Sequence, residues 1–208
     1  MDVLARILAI SDIHGHVDAL HVLLKYANYQ SDQDELFLLG DYIDKGPNSE
    51  ETLKAVEHLV QEGANAIMGN HEKCALDDIA IGKTAWIKWK TFLQSLPLYI
   101  ERKPFLFVHA GIRTGIPLHE QKITDLLTIR EPFFNQPVQE DITVVFGHTP
   151  TNRLGVNVGS LWKQQKKIGI DTGAGQQQYL SLIDLTNSLQ YRILLANQLD
   201  SQVEILSF

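Results

Sequence analysis

Short apolar runs alternate with longer amphipathic stretches along the first third of the chain. Residues 7–10, 36–39 and 66–68 are apolar runs of the length expected for buried strands. Between them, residues 17–27 and 49–61 place apolar side chains three or four positions apart, which is the spacing of a helix. This β-α-β alternation predicts an α/β fold with a mostly parallel central sheet.

The middle of the chain continues this pattern less regularly. Residues 72–96 have helical spacing, and the runs at 105–108 and 142–146 are typical of further strands. Between those strands, residues 114–141 contain three prolines. We therefore expect a surface excursion there, with a short helix near residues 120–128.

After residue 150 the chain consists of short apolar runs separated by turn-forming residues. The predicted strands are residues 156–158, 167–170, 179–184 and 189–193. Thr186-Asn187-Ser188 predicts a hairpin turn between the last two. No linker, internal repeat or low-complexity tract divides the sequence, so we expect one domain over residues 1–208.

Composition and charge limit the classes of partner. The chain has 208 residues, of which 44% are hydrophobic and 21% charged, and its net charge is −7. These values are ordinary for a folded domain with a real core. Because nucleic acids and anionic membrane surfaces are bound by basic faces, we expect neither as a partner.

The single cysteine and the N-terminus bear on the cellular compartment. Cys74 has no second cysteine to pair with, which fits a reducing compartment. In the predicted helix 72–96 it is expected to be a buried, small apolar side chain. Residues 1–6 lack the layout of a signal peptide, and no apolar run approaches the ~18 residues of a membrane span. We therefore expect a cytoplasmic protein.

Polar residues follow the predicted strands at the points where those strands end. They are Asp12 and His14 after the first strand, Asp41 after the second, Asn70 after the third, and His109 and His148 after two later strands. The carboxyl ends of parallel strands share one edge of a sheet, where ligands bind. We therefore expect these side chains to meet at one place.

The grouping changes the interpretation of each residue. Alone, an aspartate or asparagine after a strand is more often a turn former or a helix cap, and a histidine is more often structural. Recurrence at several strand ends, beside glycines that allow close backbone approach, favours metal binding. Mixed oxygen and imidazole ligands suit Mn²⁺, Fe or Zn²⁺ better than Ca²⁺. We expect two divalent ions, with Mn²⁺ favoured and Asp41 bridging, at the ~3.5–4 Å separation of two-metal sites.

Five motifs connect these residues to a known family. They are Asp12-Ile13-His14-Gly15, Gly40-Asp41-Tyr42-Ile43-Asp44-Lys45-Gly46, Gly69-Asn70-His71-Glu72, His109-Ala110-Gly111 and Gly147-His148-Thr149-Pro150. With them, residues 11–150 resemble the calcineurin-like metallophosphoesterase superfamily. More narrowly, they resemble its phosphoprotein phosphatase branch, which includes the bacterial and bacteriophage lambda-type serine/threonine protein phosphatases. The resemblance implies an αββα sandwich, with two mixed β-sheets flanked by helices.

The resemblance also implies a ligand set and a mechanism. The first metal would be held by Asp12, His14 and Asp41. The second would be held by Asp41, Asn70, His109 and His148. A hydroxide bridging the two ions would attack phosphorus directly, without a phosphoenzyme.

Roles for five residues follow from the same resemblance. His71, oriented by Asp44, would protonate the leaving oxygen, since general acid catalysis favours departure of an alkoxide. Arg130 and Asn70 would bind phosphate. Lys45 would do so as well, at a position where the family has an arginine. Because lysine lacks the planar fork of arginine, it supplies charge but no bidentate contact.

Three functions are open at this point. The leading hypothesis is a metal-dependent serine/threonine protein phosphatase acting on a phosphorylated protein or peptide. The alternative is a symmetrical diadenosine tetraphosphate hydrolase acting on a nucleotide, because Gly46-Pro47-Asn48-Ser49 resembles the Gly-Pro-x-Ser of those enzymes. The third is a noncatalytic metal-bound scaffold, against which the intact pair His71 and Asp44 argues. Oligomeric state is left open.

Overall fold

The computed structural model describes residues 5–138, 141–196 and 202–208. The strands are β1 Arg6–Ile10, β2 Asp34–Leu38, β3 Asn65–Ala66, β4 Tyr99–Arg102, β5 Phe105–Val108, β6 Thr143–Phe146, β7 Trp162–Gln164, β8 Lys167–Gly169, β9 Tyr179–Asp184, β10 Leu189–Leu194 and β11 Val203–Ser207. The α-helices are α1 Val17–Tyr26, α2 Ser49–Gln61, α3 Asn70–Ala80, α4 Lys90–Ser95 and α5 Ile123–Thr128.

The strands form two mixed sheets. The first has the order β11-β10-β9-β1-β2-β3, in which β1, β2 and β3 run parallel and β9, β10 and β11 continue antiparallel. The second has the order β4-β5-β6-β8-β7, in which β5, β6 and β8 run parallel. Its edge strands β4 and β7 pair antiparallel with their neighbours.

The two sheets pack face to face through a shared apolar layer. Phe37 of β2 and Phe107 of β5 stack with ring centroids 3.9 Å apart, and both side chains are buried. Ala9 of β1 and Val145 of β6 lie in the same cluster. Because these side chains come from both sheets, the layer joins them as in a β-sandwich.

Helices cover the outer faces. Leu20 and Leu23 of α1 and Leu53 of α2 are fully buried against the first sheet. On the other side, Leu126 of α5 packs in the cluster that contains Trp162 of β7. The predicted αββα sandwich, with two mixed sheets and flanking helices, is therefore confirmed.

Some predicted elements have different bounds. The helix expected over 72–96 is divided, since α3 ends at Ala80 and Gly82 follows with φ +91°. A 3₁₀ turn at Ile87–Trp89 then leads into α4. Glycine in the left-handed region is a common helix terminator, so the break has a local cause.

Other predictions were wrong or incomplete. Residues 156–158 form turns rather than a strand. The strands β4, β7 and β11 were not predicted, and all three lie at sheet edges, where half-exposed side chains weaken the apolar pattern. Cys74 is exposed rather than buried.

The central sheet is mixed rather than mostly parallel as predicted, because β9, β10 and β11 join β1 antiparallel. The other predictions agree with the structure or fall partly outside the described residues. The hairpin turn at 186–188 joins β9 to β10, where the Asp184 carboxylate accepts the backbone N–H groups of Thr186 and Asn187. The excursion 114–141 contains α5, although residues 139–140 lie outside the described residues. Residues 1–4, part of the N-terminal stretch considered above, also lie outside them. Among the helices described, none has the length and apolarity to cross a membrane.

Candidate metal centre

The carboxyl ends of strands from both sheets meet at one site. Asp41, after β2, lies at its centre with 2% of its surface exposed. Its Oδ2 is 3.7 Å from Nε2 of His14, after β1, and its Oδ1 is 3.4 Å from Nε2 of His109, after β5. The Asp12 carboxylate lies on the same side, 3.9 Å from His14 Nε2. Three predicted ligands therefore converge around the carboxylate of a fourth, Asp41.

Asn70 and His148 complete the set. Asn70 begins α3, four residues beyond the end of β3, and its Oδ1 lies 3.1 Å from His109 Nε2 and 2.7 Å from His148 Nδ1. The backbone N–H of His148 donates to Asp12 Oδ2 at 2.9 Å. The structure thus brings all six predicted ligands together, from five separate segments of the chain.

Two imidazole rings have one nitrogen fixed by a backbone carbonyl. His14 Nδ1 donates to the Ile43 carbonyl at 2.9 Å, and His109 Nδ1 donates to the Leu39 carbonyl at 2.8 Å. A carbonyl only accepts, so the proton must lie on Nδ1 and the lone pair on Nε2. In both residues that Nε2 faces Asp41. The outer contacts therefore prepare these histidines to bind a cation.

The protonation states of His14 and His148 also suit metal binding. Burial lowers the pKa of His14 to about 4. Burial, and then the charges of His109 and Arg130, lower the pKa of His148 to about 3. Both rings are therefore neutral near pH 7, which is the form that binds metals.

The carboxylates supply the negative charge. Burial raises the pKa of Asp12 well above its usual range, and the nearby carboxylates of Asp171 and Asp41 raise it further. Like charges buried this close disfavour joint ionisation unless cations neutralise them. His148 Nε2 is also buried and has no hydrogen-bond partner among the described residues. An orphaned imidazole nitrogen beside clustered carboxylates fits a pair of divalent cations.

Two overlapping donor groups share Asp41. One contains Asp41, His109 and His148, and the other contains Asp41, His14 and His71, with the donor atoms of each group within 4.8 Å of one another. His71 was not predicted to be a ligand, and its Nδ1 is already bonded to Asp44. The shared carboxylate is the arrangement expected of a bridging ligand.

Backbone strain is concentrated at this site. Six of the non-glycine residues with positive φ are Asp12, His14, Asp41, Asp44, Lys45 and His148, with φ between 45° and 65°. Each such residue costs roughly 1–3 kcal/mol, and strain of this kind clusters at functional sites. The left-handed backbone conformation of these residues directs their side chains toward the site. No feature of the sequence indicated this conformation.

Two glycines make the close approach possible. A Cβ on Gly147 would collide with Ser11 Oγ and Asp12 Oδ2, and one on Gly69 would collide with the backbone N of Asp41. No larger residue fits at either position unless the ligands move. Glycine is therefore required where Gly147 approaches the loop that carries Asp12 and where Gly69 approaches the loop that carries Asp41.

His71 and Asp44, the pair expected to act as an oriented acid, are in contact. His71 Nδ1 lies 2.6 Å from Asp44 Oδ2, and His71 Nε2 lies 3.9 Å from Asp41 Oδ2. Asp44 is itself fixed by Ser49, whose Oγ accepts the Asp44 backbone N–H at 2.9 Å. A carboxylate on one ring nitrogen leaves the other facing the ligands, which is the geometry of an oriented proton donor.

The predicted phosphate-binding residues border the same site. Lys45 Nζ lies 3.0 Å from His14 Nε2. Arg130 is exposed, and its positive charge is close enough to lower the pKa of His148. Asn70 contacts two of the histidines, as described above. The three residues therefore lie around the candidate ligands. The positively charged side chains of Lys45 and Arg130 are on the solvent-exposed side.

Lys45→Arg is expected to tighten binding of inorganic phosphate by about 3- to 10-fold, because a guanidinium fork makes two charge-assisted bonds where an ammonium acts as a point charge. The measurement is the inhibition constant of inorganic phosphate with the Mn²⁺-loaded protein. Lys163→Arg, at an exposed lysine of β7, is the control and should change nothing. A weaker affinity in Lys45→Arg would show that the site is built around lysine.

Glu72 is a supporting residue to which the sequence gave no role. Its side chain is fully buried, with Oε2 accepting the N–H groups of Asp41 at 2.8 Å and Gly69 at 2.9 Å. Its Oε1 accepts the N–H of Tyr42 at 2.8 Å. One carboxylate therefore ties the Asp41 loop to the start of α3. Its position in the Gly-Asn-His-Glu motif was the only available signal.

Glu72→Gln is expected to destabilise the protein by about 2–3 kcal/mol, because an amide NH₂ would face backbone N–H donors and leave one without an acceptor. For a chain of this size, the melting temperature should fall by roughly 4–12 °C. The melting temperature is measured by thermal unfolding, monitored by circular dichroism. Glu101→Gln, at an exposed position of β4, is the matched control. Equal melting temperatures for the two variants would exclude this role for Glu72.

Comparison with known proteins agrees with this geometry. The calcineurin-like phosphoesterase family matches residues 5–173. A curated relative from Vibrio campbellii, named a symmetrical bis(5′-nucleosyl)-tetraphosphatase, is 35% identical over 118 residues, which cover 50% of this chain and 43% of the relative. The matched part thus spans less than half the length of that relative.

Two solved structures share the fold. One, described as a proposed diadenosine tetraphosphatase, has a TM-score of 0.74 and 24% identity, covering 92% of this chain and 94% of the other. A cold-active protein-tyrosine phosphatase from a psychrophilic Shewanella species has a TM-score of 0.67 and 18% identity, covering 97% of this chain and 80% of the other. At these identities both show the fold alone. Since the family match extends over most of the sequence and includes every motif described above, the chain belongs to the calcineurin-like phosphoesterase family.

Proposed function

We propose that the protein is a metal-dependent hydrolase that cleaves dinucleoside tetraphosphates symmetrically, giving two nucleoside diphosphates. The observation that carries the hydrolytic part is the convergence of Asp12, His14, Asn70, His109 and His148 around Asp41. The substrate class is supported by the curated relatives named symmetrical bis(5′-nucleosyl)-tetraphosphatase. This reverses the order of the two leading hypotheses from the sequence.

The proposed ligand roles follow from the contacts. When bound, a pair of divalent ions would lower the pKa of a water and polarise the phosphoryl oxygens. Asp41 would contribute to both ions, because its two oxygens face different histidines. The carbonyls of Ile43 and Leu39 would keep His14 and His109 in the binding tautomer.

His71 has the proposed role of moving a proton. Asp44 holds its Nδ1–H, so the proton to be transferred lies on Nε2, which faces the ligands. Symmetrical cleavage of a tetraphosphate releases a nucleoside diphosphate, a better leaving group than an alkoxide. The acid is therefore needed less for that substrate than for a phosphoserine peptide.

Lys45 and Arg130 have the proposed role of binding the polyphosphate. Lys45 Nζ lies 3.0 Å from His14 Nε2, and the positive charge of Arg130 lowers the pKa of His148. A tetraphosphate chain offers phosphoryl groups on either side of the bond that is cut. Two separate cations beside the ligands suit such a chain, because each can contact a different phosphate.

The test is a substrate comparison with Mn²⁺ added. Diadenosine tetraphosphate, phosphoserine and phosphotyrosine peptides, and p-nitrophenyl phosphate are compared by kcat/KM, with the nucleotide products separated by chromatography. We expect two ADP molecules per tetraphosphate, and kcat/KM at least 10-fold above that for any phosphopeptide. A preference for phosphopeptides would instead support the protein phosphatase. Hydrolysis of none of them would support the scaffold.

A further inference from the structure

Lys167 is a lysine buried in the interior of the second half of the fold. It is the first residue of β8, and 1% of its surface is exposed. Its Nζ donates to the backbone carbonyls of Phe133 at 2.8 Å, Phe134 at 2.9 Å and Gln136 at 2.9 Å. All three ammonium protons are therefore used by one short segment of backbone.

Aromatic rings enclose the same ammonium group. Nζ lies 5.1 Å from the ring centroid of Phe133 and 5.7 Å from that of Trp162. These distances allow a cation–π attraction that is strengthened when water is excluded. Burying an ammonium is costly unless its donors are satisfied. An apolar residue would fill this position at no such cost, so the contacts indicate a specific role for the charge.

The segment that Lys167 holds begins at Arg130. The Arg130 carbonyl accepts the N–H of Phe134 at 3.2 Å, and the Pro132 carbonyl accepts the N–H groups of Asn135 and Gln136 at 3.1 Å each. Residues 130–136 are therefore a compact turn whose later carbonyls point inward to one ammonium. Its first residue, Arg130, is exposed, and its positive charge acts on His148 of the candidate metal centre.

The same turn contacts the segments that carry His109 and His148. A Cβ on Gly111 would lie 2.5 Å from the Phe133 ring, so Phe133 packs directly on the glycine two residues after His109. Phe133 also contacts Phe146, which ends β6 just before His148, with ring centroids 5.1 Å apart. The turn is therefore held between Lys167 on one side and the segments that carry two candidate ligands on the other.

We propose that Lys167 is a positioning residue that fixes residues 130–136 through three ammonium–carbonyl hydrogen bonds and so holds Arg130 at the phosphate-binding site. The proposal rests on the proposed role of Arg130. Lys167 acts through the backbone of the turn and does not touch the substrate. Its effect should appear in phosphate affinity and disappear when Arg130 is removed, because a displaced side chain loses binding energy even far from the substituted residue.

The test is a double-mutant cycle with inorganic phosphate as the probe. Phosphate affinity of the Mn²⁺-loaded protein is measured by calorimetric titration for the wild type, Lys167→Met, Arg130→Ala and the double variant. We expect each single variant to weaken phosphate binding by about 5- to 10-fold, and the double variant to match Arg130→Ala. Bound Mn²⁺ should stay equal to that of the wild type in all four. Lys163→Met, an exposed lysine on the neighbouring strand β7, is the matched control and should bind phosphate normally.

The outcomes separate this inference from the function on which it rests. If Arg130→Ala binds phosphate as the wild type does, the role of Arg130 is wrong and the inference falls with it. If Arg130→Ala weakens binding but Lys167→Met does not, or if the two losses multiply in the double variant, only the positioning role is wrong. Should Lys167→Met not fold, Lys167→Arg replaces it. The flat guanidinium cannot reach all three carbonyls, so affinity should fall, and unchanged affinity would overturn the proposal.

Discussion

Asp41→Asn is expected to lower kcat/KM by at least about 10³-fold, which corresponds to about 4 kcal/mol of lost transition-state stabilisation. The carboxylate lies between His14 and His109, and its two oxygens face different ligands. An asparagine keeps the shape but removes the charge and offers one oxygen in place of two. The variant should also bind fewer than two Mn²⁺ ions per chain, as measured by equilibrium dialysis and elemental analysis.

Asp77→Asn is the matched control for this loss. Asp77 lies on α3, and its side chain is 65% exposed beside Lys73. This variant should retain both activity and metal content, because surface ion pairs contribute little. Normal activity and two bound ions in Asp41→Asn would contradict the bridging role.

His71→Asn is expected to retain metal and to lose turnover in proportion to the need for a proton. With an alkyl phosphate such as a phosphoserine peptide, kcat should fall by about 10²–10⁴-fold, the range of general acid catalysis. With p-nitrophenyl phosphate, whose leaving group needs little protonation, the loss should be much smaller. The loss of kcat with diadenosine tetraphosphate should be intermediate between the losses with these two substrates.

The leaving-group dependence distinguishes a proton donor from a structural residue. His58→Asn, on α2 with its side chain 69% exposed, is the control and should behave as the wild type with all three substrates. Asp44→Asn should follow the pattern of His71→Asn, because the 2.6 Å contact orients the ring. An equal fold-loss on every substrate would show that His71 supports the site without transferring a proton.

The convergence of the candidate ligands was predictable, because the fold topology and the family motifs both place these residues at one sheet edge. Residues that follow successive parallel strands must meet at one sheet edge, and the glycines beside them mark close backbone approach. Asp12, Asp41 and His148 were located in this way. The sequence could not give the distances between them, since these depend on how the second sheet packs on the first.

The supporting residues were hidden for physical reasons. A glutamate in a helix or a lysine in a strand is usually solvated, so the buried Glu72 and Lys167 gave no signal of burial. Their partners are backbone amides and carbonyls, which every residue has. The left-handed conformations of Asp44 and Lys45 are likewise imposed by the surrounding fold and not by local preference.

The substrate was the least predictable property. The proposed phosphate-binding residues Lys45 and Arg130 would recognise a group that protein and nucleotide substrates share, so they could not distinguish the two substrate classes. In the sequence, Gly46-Pro47-Asn48-Ser49 was the one feature that favoured the nucleotide. The structure gives Ser49 a contact with the Asp44 backbone, which is an orienting role independent of substrate.

We expect six side chains from five separate strand ends to hold two cations around Asp41. Crystals grown with Mn²⁺ and measured at its absorption edge test this most directly. We expect two anomalous peaks about 3.5–4 Å apart, one on either side of the Asp41 carboxylate. A single peak, or peaks away from Asp41 with His14 and His109 uncoordinated, would show that Asp41 does not bridge two cations.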